Sequence, residues 1–248
     1  MPESQGAPRK DERMDATDLV DVRGLVVRRG AFRLEVPSWK VGPGQVVGIV
    51  GPNGAGKTTL LEAVAGLRPV HAGSVRVFGL DPWAHPVEVR SALGFMSDDM
   101  AVFELRVDRL LRMVSGYYPS WDGDLARELL ARFAIDTRKK AGALSRGEGT
   151  RLRLVMAMAF RPRLLVLDEP AAALDLAGRR KLLESVLDVV REPERSVLVS
   201  SHVLHDVERV ADRLLVLNAG RVIQEGETTA LVGEDRTLEE AIEAWGAA

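Results

Sequence analysis

One glycine-rich segment constrains this sequence more than any other feature. It begins at Gly51 and reads Gly-Pro-Asn-Gly-Ala-Gly-Lys-Thr, that is, a glycine, four residues and then Gly-Lys-Thr. The apolar run before it, residues 45–50 (QVVGIV), indicates a strand buried on both faces. Residues 58–67 after it indicate a helix. A buried strand, a glycine-rich turn and a helix in this order predict an α/β fold with a parallel sheet.

The same segment predicts a cradle for phosphate groups. Glycines allow successive backbone N–H groups to turn inward around phosphate oxygens, and the following helix presents its free N–H groups and the positive end of its dipole. Lys57 would supply a positive charge to the β- and γ-phosphates, which makes it a candidate catalytic residue, and the Thr58 hydroxyl would be a magnesium ligand. A hairpin turn with an unrelated lysine is the alternative, and the flanking strand and helix disfavour it. The candidate nucleotide-binding residues are Gly51, Pro52, Asn53, Gly54, Ala55, Gly56, Lys57, Thr58 and Thr59.

A second candidate site follows another buried strand, residues 164–167, which leads directly into Asp168 and Glu169. Ligands of open α/β sheets bind at the carboxyl ends of the strands, so we expect these acids near the glycine-rich loop. We expect Asp168 to hold Mg²⁺, usually through water, and Glu169 to act as general base on the water that attacks the γ-phosphate. The alternative for Asp168 is a cap on the segment that follows. His202 follows the strand at 196–200 and is predicted to contact the γ-phosphate at the same edge.

Composition excludes several other classes of protein. The chain has 248 residues with 34 Lys+Arg and 36 Asp+Glu, so its net charge is −2 and it lacks the basic excess of a general nucleic-acid binder. The absence of cysteine excludes disulfides, cysteine-ligated zinc and self-held iron–sulfur clusters. No apolar run approaches the about 18 residues of a membrane span, and residues 1–18 are polar without a signal-peptide core. We therefore expect a soluble chain that begins with a mobile tail.

The remaining residues, 19–248, are predicted to form one domain with two parts. Short strand patterns near the N-terminus predict an antiparallel β region, and apolar spacings of three and four in 103–114 and 125–135 predict helices. The predicted core therefore covers about 19–97 and 161–230, with a helical subdomain at about 98–160. The glycine-rich segment from Gly51 to Thr58 fits the P-loop pattern. The fold class is therefore α/β: a P-loop NTPase core with a mainly parallel sheet, an N-terminal antiparallel β region and an inserted helical subdomain.

Taken together and in this order, the motifs resemble those of the ATP-binding subunits of ABC transporters over about residues 20–222. The deciding piece is similar to the family's signature sequence LSGGQ and consists of Leu144, Ser145, Arg146, Gly147 and Glu148. Asp175, in the sequence Ala-Leu-Asp, is similar to the family's D-loop, and His202 to its switch histidine. From the residues alone, Ser145 and Glu148 also form a capping-box pattern at a helix start. Both roles can hold, because a helix N-terminus is itself an anion site.

The resemblance implies that this chain works with partners. In the family, the signature acts in trans on the ATP bound to the P-loop of a second ATP-binding subunit, identical or related, and Asp175 would lie at the seam between the two. A separate integral membrane permease would hold the chain at the cytoplasmic face of the cell membrane. The implied cofactors are ATP and Mg²⁺, with no nucleic acid as partner.

Some residues depart from the family pattern. Arg146 and Glu148 stand where Gly and Gln are usual in the signature. Asp98 matches the glutamine of the Q-loop and could reach magnesium through water. Arg29 occupies the position of the aromatic residue that stacks on adenine, with Phe32 as the nearest aromatic. A guanidinium plane can stack on a base, so a preference for ATP over other purine nucleotides stays open.

The resemblance leaves three readings of the function. The first is an ATPase that drives transport through a permease, and the residues around 117–122 most resemble bacterial export-type subunits. The second is a soluble ABC-type ATPase without a permease, such as a scaffold for metal-cluster assembly. The third is another P-loop enzyme, but the chain has no Asn-Lys-x-Asp guanine reader of a GTPase, and no lid or acceptor pocket of a kinase is apparent.

Overall fold

The structure, a computed structural model, describes residues 18–97, 104–202, 204–233 and 236–246. The predicted tail, residues 1–18, lies outside these ranges except for Asp18. The strands are β1 (Val20–Arg29), β2 (Phe32–Val41), β3 (Val46–Val50), β4 (Ala72–Val77), β5 (Leu93–Ser97), β6 (Leu164–Asp168), β7 (Ser196–Ser201), β8 (Arg213–Asn218) and β9 (Arg221–Glu227). The helices are α1 (Lys57–Val64), α2 (Pro86–Arg90), α3 (Val107–Ser115), α4 (Gly123–Arg132), α5 (Arg146–Met158), α6 (Leu176–Val190), α7 (Leu204–Glu208), α8 (Thr228–Val232) and α9 (Leu238–Ala244).

In the described ranges the strands form one nine-stranded sheet in the order β4-β1-β2-β9-β8-β3-β7-β6-β5. The strands β8, β3, β7, β6 and β5 run parallel to one another, β9 pairs antiparallel with β8, and β4, β1 and β2 pair antiparallel at the other end. This arrangement, with α3, α4 and α5 between β5 and β6, confirms the predicted α/β fold class. The register places Asp168 beside Ser97 on β5 and Ser200 on β7, so three strands end together at one edge.

The apolar runs of the central strands cover both faces of the sheet with hydrophobic residues. In β3, Val46 and Val50 pack with the helices α3 to α7, whereas Val47 and Ile49 face α1 and the N-terminal strands. The alternation follows from the two-residue period of a strand. A strand buried on both faces holds its ends rigidly, and the glycine-rich loop and the acid pair begin at such ends.

A narrow junction joins the antiparallel part of the sheet to the parallel part. The ladder between β2 and β9 has one paired position, Glu35 opposite Arg221. The Glu35 N–H also donates to the Gly220 carbonyl at 2.7 Å, and the Gly220 N–H donates to the Ala55 carbonyl at 3.0 Å. The turn at Gly220 therefore connects both parts of the sheet and the glycine-rich loop.

Some elements differ from the sequence-based expectations. The sequence pattern predicts the first strand from Gly24 to Arg28, whereas β1 begins at Val20, because it pairs with both β2 and β4. The sequence did not predict β5, nor the C-terminal helices α8 and α9. In the part of the chain that the structure describes, no helix has both the length and the apolar character needed to cross a membrane.

Candidate functional site

The glycine-rich loop passes between β3 and α1 with a close approach that excludes a side chain at its first residue. Gly51 has φ of 146°, and a Cβ atom there would lie 2.0 Å from the Leu217 carbonyl oxygen on β8. Only glycine fits both the conformation and the space. The loop therefore bends directly against the sheet.

Lys57, the first residue of α1, is held inside this loop. Its side chain is buried, and the ammonium group donates to the carbonyl oxygens of Gly51 at 2.8 Å and Pro52 at 3.3 Å. The Glu169 carboxylate lies 3.4 Å from the same nitrogen. A buried ammonium needs several acceptors to offset its lost hydration. Phosphate oxygens could replace these weaker carbonyl partners.

Asp168, at the end of β6, accepts a hydrogen bond on each carboxylate oxygen. The Thr58 hydroxyl donates to one oxygen at 2.7 Å and the Ser200 hydroxyl to the other at 2.6 Å. Burial raises the pKa of Asp168, and the bonds from Ser200 and Thr58 oppose that shift. The predicted magnesium residues Thr58 and Asp168 are thus adjacent. A hydroxyl and a carboxylate are the hard oxygen donors that Mg²⁺ takes alongside water, so the pair fits this ion.

Glu169 and His202 meet at the same edge of the sheet. His202 Nδ1 lies 2.7 Å from one Glu169 carboxylate oxygen, and the His202 backbone N–H donates to that oxygen at 3.3 Å. Glu169 has φ of 49°, an uncommon value for a residue other than glycine. Its N–H donates to the Ser200 hydroxyl at 2.9 Å, which holds the acid in this conformation.

A cavity of about 390 Å³ opens over these groups. Its lining runs along the loop from Asn53 to Thr59 and includes Glu169, and it extends across to Arg29 and Phe32 of the N-terminal strands. One end of the lining therefore holds the glycine-rich backbone and the Lys57 ammonium beside the Glu169 carboxylate, and the other end holds a guanidinium and an aromatic ring. A nucleotide has the same division between phosphates and base.

The signature residues start α5. Ser145 caps the helix: its hydroxyl accepts from the Glu148 N–H at 3.2 Å, and the Glu148 carboxylate accepts from the Ser145 N–H at 2.8 Å. The capping-box pattern is thus confirmed. Leu144 packs against the core, and a Cβ on Gly147 would lie 3.0 Å from the Ala173 carbonyl oxygen.

The signature and the D-loop are therefore neighbours within the chain. Asp175 caps α6 through a 2.7 Å hydrogen bond from the Gly178 N–H. Within the described residues, neither Asp175 nor the signature, including exposed Arg146, lines the cavity of the glycine-rich loop. Asp98, the remaining predicted magnesium residue, lies outside the described residues.

Sequence reasoning missed two residues of these sites. Ser200 bridges Asp168 and the Glu169 backbone; its signal was a hydroxyl at the end of a buried apolar strand. Lys139 binds the Glu148 carboxylate at 3.0 Å from nine residues upstream. No periodic pattern links those two positions, so only the fold identifies the contact.

Comparison with known proteins identifies the family. A family model described as ABC transporter matches residues 34–172. The chain is 34% identical to the ABC transporter ATP-binding protein YtrB of Bacillus subtilis over 69% of this chain and 59% of that protein. It is 35% identical to the Fe(3+) ions import ATP-binding protein FbpC of Streptomyces coelicolor, over 84% of this chain and 62% of that protein. The Nod factor export ATP-binding protein I of Rhizobium etli is 31% identical, over 92% and 74%.

A solved structure of the ATP-binding subunit of an ABC transporter has the same fold. It aligns with a TM-score of 0.85 at 25% identity, over 92% of this chain and 99% of that one. The chain spans about 60% of the length of YtrB and FbpC. Relatives named for import and for export both resemble it.

Proposed function

Because the chain belongs to the ABC transporter family, we propose that it is an ATPase subunit whose two copies, or a copy and a related chain, enclose ATP. One observation carries the proposal: Lys57, Thr58, Asp168 and Glu169 meet beside a single nucleotide-sized cavity, through the contacts of 2.7 to 3.4 Å described above. These are the groups that hold phosphates and magnesium and activate water in phosphoryl transfer.

Each residue has a role that its position supports. The loop N–H groups and Lys57 bind the β- and γ-phosphates, and Thr58 and Asp168 hold Mg²⁺. When bound, that ion neutralises charge that develops on the phosphate oxygens. Glu169 takes the proton of the attacking water, and His202, 2.7 Å from it, orients the carboxylate and contacts the γ-phosphate. Arg29 and Phe32, which line the other end of the cavity, contact the base.

The signature completes the site from a second chain. Ser145 uses its hydroxyl oxygen as an acceptor for the Glu148 N–H. Its hydroxyl also hydrogen-bonds the Glu148 carboxylate, and in the closed dimer the hydroxyl hydrogen would turn from that carboxylate to a phosphate oxygen of the facing subunit. Together with the Gly147 N–H in the first turn of α5, it offers donors to the γ-phosphate on the partner's loop. Asp175, packed nearby, belongs to the same seam.

The general-base role is tested with Glu169→Gln. We expect the variant to bind ATP and form a dimer that sediments or elutes as twice the monomer mass, while its ATPase rate falls at least about 100-fold. Glu239→Gln, the same change at an exposed residue of α9, is the matched control and should turn over normally. Full turnover by Glu169→Gln would contradict the assignment.

The shared site is tested by mixing two inactive variants. Lys57→Ala removes the phosphate cation, and Ser145→Arg blocks the signature. A mixed dimer has one doubly damaged site and one intact site, so we expect partial ATPase activity only in the mixture. If every mixing ratio stays inactive beside an active parent, the two-chain site is wrong.

We further propose that the chain binds an integral membrane permease at the cytoplasmic face of the membrane and powers transport. The family membership and the names of the relatives support this. Tagged protein purified from native membranes should retain a multi-span protein. If it retains none, a soluble ABC-type ATPase replaces the transporter assignment. Export stays a prediction, since relatives named for both directions resemble the chain.

A further inference from the structure

The signature of this chain has a charged residue, Glu148, where the family has a neutral glutamine. Glu148 occupies the third position of α5, 20% exposed, with one oxygen on the Ser145 N–H at 2.8 Å and the other on the Lys139 ammonium at 3.0 Å. Hydrogen bonding, first from the Ser145 N–H and then from Lys139, lowers the pKa of Glu148 to about 2. The carboxylate is therefore ionised at neutral pH, next to the Ser145 hydroxyl.

Lys139 is held in place by its backbone. Its carbonyl oxygen accepts from the Val107 N–H at the start of α3 at 3.0 Å, and its N–H donates to the Asp136 carbonyl at 3.2 Å. The neighbouring Lys140 forms a β-bridge with Arg106. The ammonium thus reaches Glu148 from a fixed backbone segment, so forming the ion pair requires ordering of the side chains but not of the backbone.

We propose that Lys139 is a positioning residue of the composite nucleotide site. By pairing with Glu148, it neutralises a carboxylate that would otherwise repel the partner's γ-phosphate, and it keeps that carboxylate folded back on the Ser145 N–H. The inference rests on the proposed function, because it requires the signature to face a second chain's ATP. The family has a neutral glutamine at this position, and here Lys139 offsets the negative charge of the glutamate that replaces it.

The size of the effect follows from charge separation. An uncompensated carboxylate about 10 Å from a phosphate, near a protein surface, weakens binding by about tenfold. Salt screens such an interaction, so the penalty should shrink at high ionic strength. A contact that merely stabilised the helix start would instead act through a lowered thermal midpoint.

The test measures the ATP concentration that gives half-maximal dimerisation in the Glu169→Gln background. Lys139→Met should raise it about tenfold in about 50 mM salt and clearly less in about 500 mM salt. Lys139→Arg, which keeps the charge, should stay within about twofold of the background. Lys140→Met is the matched control: it removes the same charge one residue away, and within the described residues its side chain has no bond to Glu148. It should also stay within about twofold.

The decisive variant is the double change Lys139→Met with Glu148→Gln. Removing the carboxylate removes the need for compensation, so most of the loss should be recovered. The proposal is overturned if Lys139→Met has no effect, or if the double variant dimerises as weakly as Lys139→Met alone. A loss that follows a lowered thermal midpoint in both variants assigns the contact to helix capping and also overturns it.

The two proposals fail in different ways. If the Glu169→Gln background does not dimerise with ATP, the proposed function is wrong and the inference falls with it. If the background dimerises and Lys139→Met behaves like it, only the role of Lys139 is wrong.

Discussion

At the scale of single residues, Ser200 connects the two acids of the candidate site. Its hydroxyl is fully buried, donates to Asp168 and accepts from the Glu169 N–H. Ser200→Ala should lower the free energy of unfolding by about 1–3 kcal/mol, because a buried carboxylate oxygen and a backbone N–H lose their partner. Urea unfolding followed by circular dichroism measures the difference.

Ser38→Ala is the matched control for this prediction. Ser38 lies exposed on β2, so the same chemical change should alter the free energy of unfolding by less than about 0.5 kcal/mol. Equal effects of the two substitutions would show that Ser200 does not support the acid pair.

Glu148 makes a pH-dependent contribution to stability. Its folded pKa of about 2 is below its usual value of 4.5, so the contribution is present above about pH 4.5 and is lost as the pH falls through about 2. Glu148→Gln should therefore cost about 1 kcal/mol of unfolding free energy at pH 7 and only a small fraction of that near pH 2. Unfolding of both proteins across this range tests it, and a pH-independent difference would contradict it.

The sequence predicted the residues of the site better than their contacts. Each of four site residues lies at the end of a buried strand or in the segment that follows one: Lys57, Asp168, Glu169 and His202. Buried strands can be recognised in the sequence as apolar runs, so the positions of these residues were predictable. Side-chain bonds between distant segments, such as Lys139 to Glu148, have no periodic signal. The three-dimensional fold alone brings them together.

At the scale of elements, the turn between β8 and β9 holds the sheet together. Gly220 has φ of 79°, and a Cβ there would lie 1.9 Å from the Arg33 carbonyl oxygen on β2. Gly220→Ala should destabilise the protein by at least about 2 kcal/mol more than Gly79→Ala. Gly79 is the matched control, since its φ is 80° and its Cβ would meet nothing within 4 Å.

Both glycines have φ near 80°, so both variants carry similar backbone strain. The difference in unfolding free energy between the two variants therefore measures the cost of the close approach to β2. Chemical unfolding measures it, and nucleotide binding should weaken only in Gly220→Ala, whose N–H bonds to the Ala55 carbonyl in the glycine-rich loop. Equal losses in both variants would mean that the β2 contact contributes nothing.

Element boundaries were less predictable than element types. Strand β5 (Leu93–Ser97) is short and includes a glycine, so its pattern is weak, yet pairing with β6 fixes it as a strand. A Cβ on Gly94 would lie 2.3 Å from the Ala157 carbonyl oxygen, which shows that helix α5 packs closely on this strand. Tertiary pairing of this kind decides where short strands form.

At the scale of the whole molecule, ion pairs connect helices of the inserted helical subdomain, α3 to α5, to the core. Arg132 on α4 lies 2.6 Å from Asp188 on α6, with both side chains about two-thirds buried. We expect a double-mutant cycle with Arg132→Gln and Asp188→Asn to give a coupling energy of about 1 kcal/mol. Urea unfolding of the four proteins measures it.

Arg180 and Glu184 supply the control cycle. They form an exposed arginine–carboxylate pair within α6, so their coupling should be only about 0.3 kcal/mol. A coupling energy for Arg132 and Asp188 no larger than this would show that the pair does not stabilise the packing of the inserted helical subdomain on the core.

The single paired position between β2 and β9 has a mechanical consequence. The cavity lies across this junction, with Arg29 and Phe32 on one side and the glycine-rich loop on the other. A ligand that contacts both sides of the junction between β2 and β9 restricts bending of the sheet at that junction. The Glu35 amide, which bonds to Gly220 across the junction, should then exchange its hydrogen more slowly when nucleotide is bound.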